Sequence, residues 1–256
     1  MLNRQFWNRY AIAYRKLIGF WAPHQQMFRD VAVALGIKSS MRVLDAGCGA
    51  GDFEVSLHKQ GIEPQIEALD FSPRMLEGAR RKCRKFKGIT FRKADLSDPL
   101  PFPDNYFDTI TCLQTLFAMP SPRFTLTELV RVLKPGGKIA IVEPRPEFSS
   151  GKIFRYHLEA QNTCKLVSLL KLVPYLPLIW LTIKCNEIIS QECKAFSDEE
   201  IIGLVERSGM QVIYFAKTLA DQDHLLIAQK VDNEDTVKWG PCPFLYLLKL
   251  ILFCWR

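Results

Sequence analysis

The sequence predicts an α/β protein, a mostly parallel sheet with helices on both faces that ends in a reversed strand, and three observations carry that reading. Strand-like and helix-like segments alternate from about Met41 onward, as a parallel sheet with crossover helices requires. The apolar run Met41–Ala46 carries an acid, Asp45, and then turns through glycines, VLDAGCGAG over residues 43–51. A buried parallel strand reads this way where its backbone turns tightly and approaches a ligand at the amino end of a helix. Finally, Gln211–Lys217 and His224–Lys230 are separated only by a short loop, which cannot hold a crossover, so the two runs pair as an antiparallel hairpin.

The elements follow in order. Strand Arg42–Asp45 leads through the glycine turn to helix Asp52–Gln60. Strand Ile66–Asp70 precedes helix Pro73–Lys85, and strand Ile89–Lys93 precedes an acidic loop. Strand Thr109–Leu113, helix Pro122–Leu133 and strand Lys138–Glu143 complete the parallel part. Ser197 caps helix Asp198–Ser208, and the hairpin brings the strand total to seven. An aromatic-rich helical segment, Phe6–Phe28, precedes this core, and a long insertion separates Pro144 from Ala195. Because strands of one sheet flank it, the insertion reads as a lid. Residues 1–230 are therefore expected to form one domain. Residues 1–39 form its helical start, 40–145 the cofactor-binding core, 146–195 the apolar lid and 196–230 the closing helix and hairpin. Residues 231–256 are a hydrophobic tail.

Composition narrows the partners. Hydrophobic residues at 48% and charged residues at 24% of 256 are ordinary for a globular chain. The net charge of +7 gathers in Arg4, Arg9, Arg15 and Lys16 at the amino end and in Arg80, Arg81, Lys82, Arg84, Lys85 and Lys87. The second run reads as a solvated helix face. With no zinc-finger spacing and no RNA-binding signature, a nucleic-acid partner is not expected. Eight cysteines with no CxxC pair and no leader pattern argue for reduced thiols, a cytoplasmic setting and no metal. Cys48 and Cys112 read as small packing residues.

Asp70 ends the second strand about 20 residues after the glycine turn, where a carboxylate can accept both hydrogens of a ribose diol. A dinucleotide dehydrogenase places an acid similarly. The turn here is GxGxG rather than GxGxxG, Asp45 precedes it by two residues, and a second acidic loop, ADLSDPLPFPDNYFD, follows the third strand. Asp104 and Asp108 within that loop read as turn and strand-start residues. Taken with EALDFSPRML, KADLSDPLPFPDNYFDTI and ELVRVLKPGGKIAIVEP, the chain resembles the class I S-adenosylmethionine-dependent methyltransferases of the quinone-biosynthesis and sterol-methyltransferase type. The match covers roughly residues 40–145 and, with the terminal hairpin, implies a Rossmann-like fold. The resemblance implies that Gly47, Cys48, Gly49 and Gly51 line the amino-acid part of the cofactor, with Asp45 organising that pocket. It implies further that Asp70 holds the ribose, that Phe71 and Met75 flank the adenine, that Asp95 accepts from its amino group, that Leu96 covers the ring and that Leu113 lies near the methionine moiety.

Methyl transfer from a sulfonium is an in-line displacement, so proximity and alignment supply most of the rate. A base is needed only where the acceptor must lose a proton. Tyr14, Gln114, Glu143 and His157 are the groups that could face the cleft, while His24 and His224 read as structural. The stretch LQTLFAMPS after the fourth strand lacks the Arg-Asn pair of the quinone methyltransferases, which weighs against a quinone ring as acceptor.

Two apolar segments remain. Residues 166–183, LVSLLKLVPYLPLIWLTI, approach bilayer thickness as a helix, but strands of one sheet on either side forbid a single crossing, and Pro174 and Pro177 interrupt the run. The tail PCPFLYLLKLILFCWR is apolar on every side. The expected function is S-adenosylmethionine-dependent methyl transfer to a hydrophobic, lipid-like or isoprenoid small molecule, with the enzyme peripheral on a membrane. The competing readings are a methyltransferase for a soluble metabolite whose lid and tail pack a homodimer, and a catalytically silent cofactor-binding scaffold.

Overall fold

The structure is a computed structural model that describes residues 2, 4–18, 21–160 and 172–231. The tail and the first part of the apolar stretch, residues 166–171, lie outside them. Seven strands form one sheet in the order β3-β2-β1-β4-β5-β7-β6. They are β1 (Arg42–Ala46), β2 (Gln65–Asp70), β3 (Ile89–Lys93), β4 (Phe107–Leu113), β5 (Leu133–Pro144), β6 (Met210–Thr218) and β7 (Asp223–Lys230). The first five are parallel, while β7 runs antiparallel to both β5 and β6. Strand order reverses between β1 and β4, so a crevice opens outside their carboxyl ends.

Side chains that alternate along each strand build a core on each face. Val43, Ile66 and Val142 pack with Met27, Val31 and Phe53 from α2 (Ala22–Leu35) and α3 (Asp52–Lys59). Leu44, Ile110 and Ile141 point the other way and pack with Leu126, Leu129 and Ile201 from α5 (Pro122–Val132) and the closing helix α8 (Asp198–Glu206). Each such side chain, fully buried, contributes about 1.5–3 kcal/mol. The expected cap is present: Ser197 Oγ accepts from Glu200 N, and the Glu200 carboxylate accepts from Ser197 N in return.

Four differences from the sequence expectation have local causes. Helix α4 (Pro73–Lys82) stops three residues short of Lys85, with Cys83 as its cap. Its basic run is not wholly a solvated face, because Lys82 Nζ donates to both oxygens of the buried Asp52 at 2.7 Å. Strand β5 begins at Leu133 rather than Lys138, since pairing with Phe107 resumes across an irregular stretch. The prolines of the insertion start a helix instead of breaking one: Pro174 sits in the short turn Val173–Tyr175, and Pro177 in the first turn of α7 (Leu176–Glu192), where the missing N–H has no partner to lose. The aromatic amino-terminal segment forms α1 (Arg4–Leu17) and the start of α2. Helix α1 packs on α7 through Tyr10, whose hydroxyl donates to Asn186 Oδ1 at 3.3 Å, while α6 (Ser150–Glu159) opens the insertion beside α2.

Candidate cofactor and acceptor cleft

One cleft of about 980 Å³ occupies the carboxyl end of the sheet and runs from the glycine turn to the inner faces of α1, α6 and α7. At its base the turn after β1 folds back on β2, because Gly47 N and Cys48 N both donate to Leu69 O at 2.8 Å. Gly47 has φ +87°, and a Cβ there would lie 2.2 Å from Thr115 Oγ1. No side chain fits between this turn and the loop after β4.

Asp70 closes the arrangement. Its Oδ2 accepts from Gly49 N at 3.0 Å and its Oδ1 from Ser72 N at 2.7 Å. Burial pushes its carboxyl up to about 6, while those two donors hold it down. The carboxylate is fixed at the cleft wall with lone pairs to spare, as a ribose diol requires. Phe71, Met75, Asp95, Leu96 and Leu113 line the same wall. Asp95 is exposed and accepts from Ser97 N at 3.0 Å, and Leu96 is buried beside it. This set, an anchored carboxylate acceptor, an exposed one and apolar side chains lining the same cleft, fits a nucleoside.

Three of the sequence-predicted residues stand behind the cleft instead of on it. Asp45 is buried and accepts from Thr111 Oγ1 at 2.7 Å. Burial raises its carboxyl to about 7, and it lies next to the buried Glu54. Cys48 is buried with its thiol pushed well up by burial. Gly51 has φ +78° and packs against α4, where a Cβ would meet Ala79 Cα at 3.0 Å. These three shape the turn from beneath.

The candidates for handling the acceptor separate as clearly. Tyr14 lines the cleft over Gly49, and burial holds its phenol protonated, so it can donate a hydrogen bond but cannot serve as a base near neutral pH. Gln114 lines the cleft in a left-handed conformation, φ 51°, and its Nε2 donates to Asp223 Oδ2 at 2.7 Å. Glu143, which the sequence placed among groups facing the cleft, is fully buried and accepts from the backbone N–H groups of Thr115, Leu116 and Phe117 at 2.7–3.2 Å. It fixes the loop that walls the cleft. His157 is neither a surface residue nor a cleft residue. Its Nδ1 accepts from Ala22 N at 3.2 Å and its ring lies 4.7 Å from that of Trp21, so it ties α6 to the start of α2. His224 is structural as expected, with Nε2 2.9 Å from Phe196 O.

Sequence reasoning read His24 as structural without placing it on the cleft, and it passed over Asp223. His24 is buried on the cleft wall with Nδ1 unpartnered among the described residues, and burial lowers its imidazole to about 3. Asp223 is fully buried, and its Oδ1 has no hydrogen-bond partner among the described residues. Nothing local marks Asp223, since its partner Gln114 is 109 residues away.

A seven-stranded sheet with a reversed β7, a glycine turn after β1 and an anchored acid after β2 define the class I methyltransferase architecture. A family model described as a methyltransferase domain matches residues 37–202, and the chain belongs to that family. The chain is 34% identical over 142 residues to a demethylmenaquinone methyltransferase of Tropheryma whipplei, covering 55% of this chain and 58% of that protein. It is 38% identical over 121 residues to that of Staphylococcus saprophyticus, covering 47% and 52%. The chain thus spans little more than half the length of these curated relatives. A crystal structure of a SAM-dependent methyltransferase from Aquifex aeolicus superposes with a TM-score of 0.60 at 21% identity, covering 90% of this chain and all of that one, a likeness of fold.

Proposed function

We propose that the protein transfers the methyl group of S-adenosylmethionine to a hydrophobic small molecule, of lipid-like, isoprenoid or quinone-like character, drawn from a membrane surface. The observation that carries this is the continuity of the cleft. Its nucleoside end at Asp70 and Leu96 opens without a partition into a chamber walled by Trp7, Trp21, Phe148, Phe154 and Ile179. At about 980 Å³ the cleft reaches the upper end of the ~300–1,000 Å³ range of small-molecule sites. That is room for a donor and an apolar acceptor side by side.

The relatives' names favour a quinone-like ring, although the loop after β4 reads LQTLFAMPS and holds no arginine or asparagine to grip one. In that loop Gln114 and Thr115 are the polar groups on the cleft, and the Thr115 hydroxyl donates to Leu113 O at 3.0 Å, which leaves Gln114. Because its Nε2 is committed to Asp223, its amide oxygen is left to accept from an acceptor hydroxyl. Proximity supplies most of the acceleration, and hydrogen bonding to the hydroxyl orients the nucleophile. Incubation with labelled methyl donor and fractionated cell lipids or polar metabolites tests the assignment. Label is expected in the lipid fraction, and label confined to polar metabolites would overturn it.

A further inference from the structure

The outward face of α7 is divided along its length. Over its first two turns and the turn before them it exposes Val173, Leu176, Trp180 and Ile183, at 53%, 55%, 62% and 40% of their surface, spaced three and four residues apart as one helical stripe. Beyond them the same face carries Lys184 and Glu187, which pair at 2.8 Å. A monomer in water rarely exposes so many large apolar side chains in a row. Two of them, Leu176 and Ile183, also line the cleft. The stripe is therefore continuous with the acceptor chamber.

Helix α1, packed beside α7, carries no acidic residue. It turns Arg9, Ile12 and Lys16 outward at positions three and four apart. Among the described residues neither Arg9 nor Lys16 pairs with a carboxylate. Cations beside a tryptophan-bearing apolar stripe are the pattern of a helix lying in the plane of an anionic lipid surface. A second copy of this chain would bring the same unpaired cations and would be repelled.

We propose that the stripe Val173–Leu176–Trp180–Ile183, flanked by Arg9 and Lys16, seats the protein on an anionic bilayer leaflet, so that an apolar acceptor passes along Leu176 and Ile183 into the cleft without crossing water. The inference rests on the hydrophobic-acceptor reading and names its surface. Trp180 provides the interfacial anchor, since its ring is apolar and its indole N–H finds partners at headgroup level. The short helix lies in the plane and does not span: no described helix is long and apolar enough to cross a membrane.

The test places the photoreactive amino acid p-benzoylphenylalanine at position 180 of the full chain and, as a control, at Val33, which is 75% exposed on α2. Illumination on phosphatidylglycerol vesicles is expected to give lipid adducts from position 180 and not from 33. An adduct to residues 161–171 or 232–256, or a dimer, would show that another segment or a second copy covers the stripe and would overturn the proposal. In the full chain Arg9→Ala and Lys16→Ala should each weaken partition onto these vesicles about fivefold and leave partition onto phosphatidylcholine unchanged. Equal partition of wild type onto both lipids would equally overturn it. Methyl transfer to detergent-dispersed lipid, run alongside, separates the two readings. If transfer persists without lipid adducts, the docking face fails alone; if adducts form without transfer, the acceptor reading fails.

Discussion

Asp70 accepts from Gly49 N and Ser72 N with different oxygens, so it holds the glycine turn, the start of α4 and the proposed ribose position in one group. Replacing it with alanine removes charge-assisted bonds to the ligand and frees the turn. Asp70→Ala should lower S-adenosylhomocysteine affinity by about 3 kcal/mol, roughly a hundredfold, by calorimetry; a loss below threefold would displace the ribose from this residue. The other end of the cleft depends on a pair. Burial lifts the Asp223 carboxyl to about 7, against the donated bond from Gln114. Above that range the ionised carboxylate accepts only, which fixes the amide with its oxygen toward the cleft; below it the protonated acid can donate, and the amide is free to turn over. Methyl transfer should therefore rise with pH through an apparent pKa near 7. Asp223→Asn should flatten that limb, and Gln114→Ala should cut kcat about tenfold with donor affinity unchanged. A limb that survives Asp223→Asn belongs to another group. Asp70 was legible because everything that positions it lies within a few residues or one strand away. The Gln114–Asp223 pair was not, because sheet order alone brings those positions together, through β5 and β7.

Between β6 and β7 the chain makes one turn of left-handed helix. Leu219, Ala220 and Asp221 have φ of 51°, 56° and 62°, and Gln222 N donates back to Thr218 O and Leu219 O. Each non-glycine residue there costs about 1 kcal/mol, so neighbouring bonds must hold the turn. Gln222 supplies them: its Oε1 accepts from Ser149 N at 2.7 Å, its O from Arg145 N at 2.9 Å, and its Nε2 donates to Ala220 O at 2.9 Å. The strained turn thereby grips the start of the insertion and sets Leu219 on the cleft wall. Ala220→Gly should raise stability by about 1 kcal/mol, read as a higher denaturant midpoint; a lower midpoint would mean the turn is not strained. Gln222→Ala should speed amide exchange over residues 145–150. The hairpin itself was plain in the sequence from the brevity of its loop. Its handedness was not, since a left-handed turn ordinarily shows glycine or asparagine and this one offers only Asp221. Pro177 of α7 carried a similar ambiguity, because a proline disrupts a helix interior but suits a first turn, and only the boundary at Leu176 decides between them.

Across the whole molecule, buried acids collect at the carboxyl end of the sheet. Burial is the first cause in each case, lifting Asp45 to about 7, Asp223 to about 7 and Glu143 to about 8. Each of these folded-state values lies above the ordinary 3.9–4.3 of an unfolded chain. The folded protein therefore holds more protons than the unfolded one throughout that interval, and the stability these groups contribute is full below about pH 4 and lost as pH rises through about 8. His24 works in the opposite sense, because its lowered value makes the unfolded chain the better proton acceptor between about 3 and 6.5. The two effects overlap in acid but not above about pH 6.5, where His24 no longer contributes and the raised carboxyls lower stability as pH rises. Denaturant midpoints should accordingly fall between pH 6.5 and 8.5. Asp223→Asn, which keeps a partner for Gln114 without a charge to bury, should make that fall shallower. A midpoint that stays level or rises across this window would mean that these acids ionise in the fold at least as readily as in water, and the pH dependence assigned to Gln114 and Asp223 would fall with it.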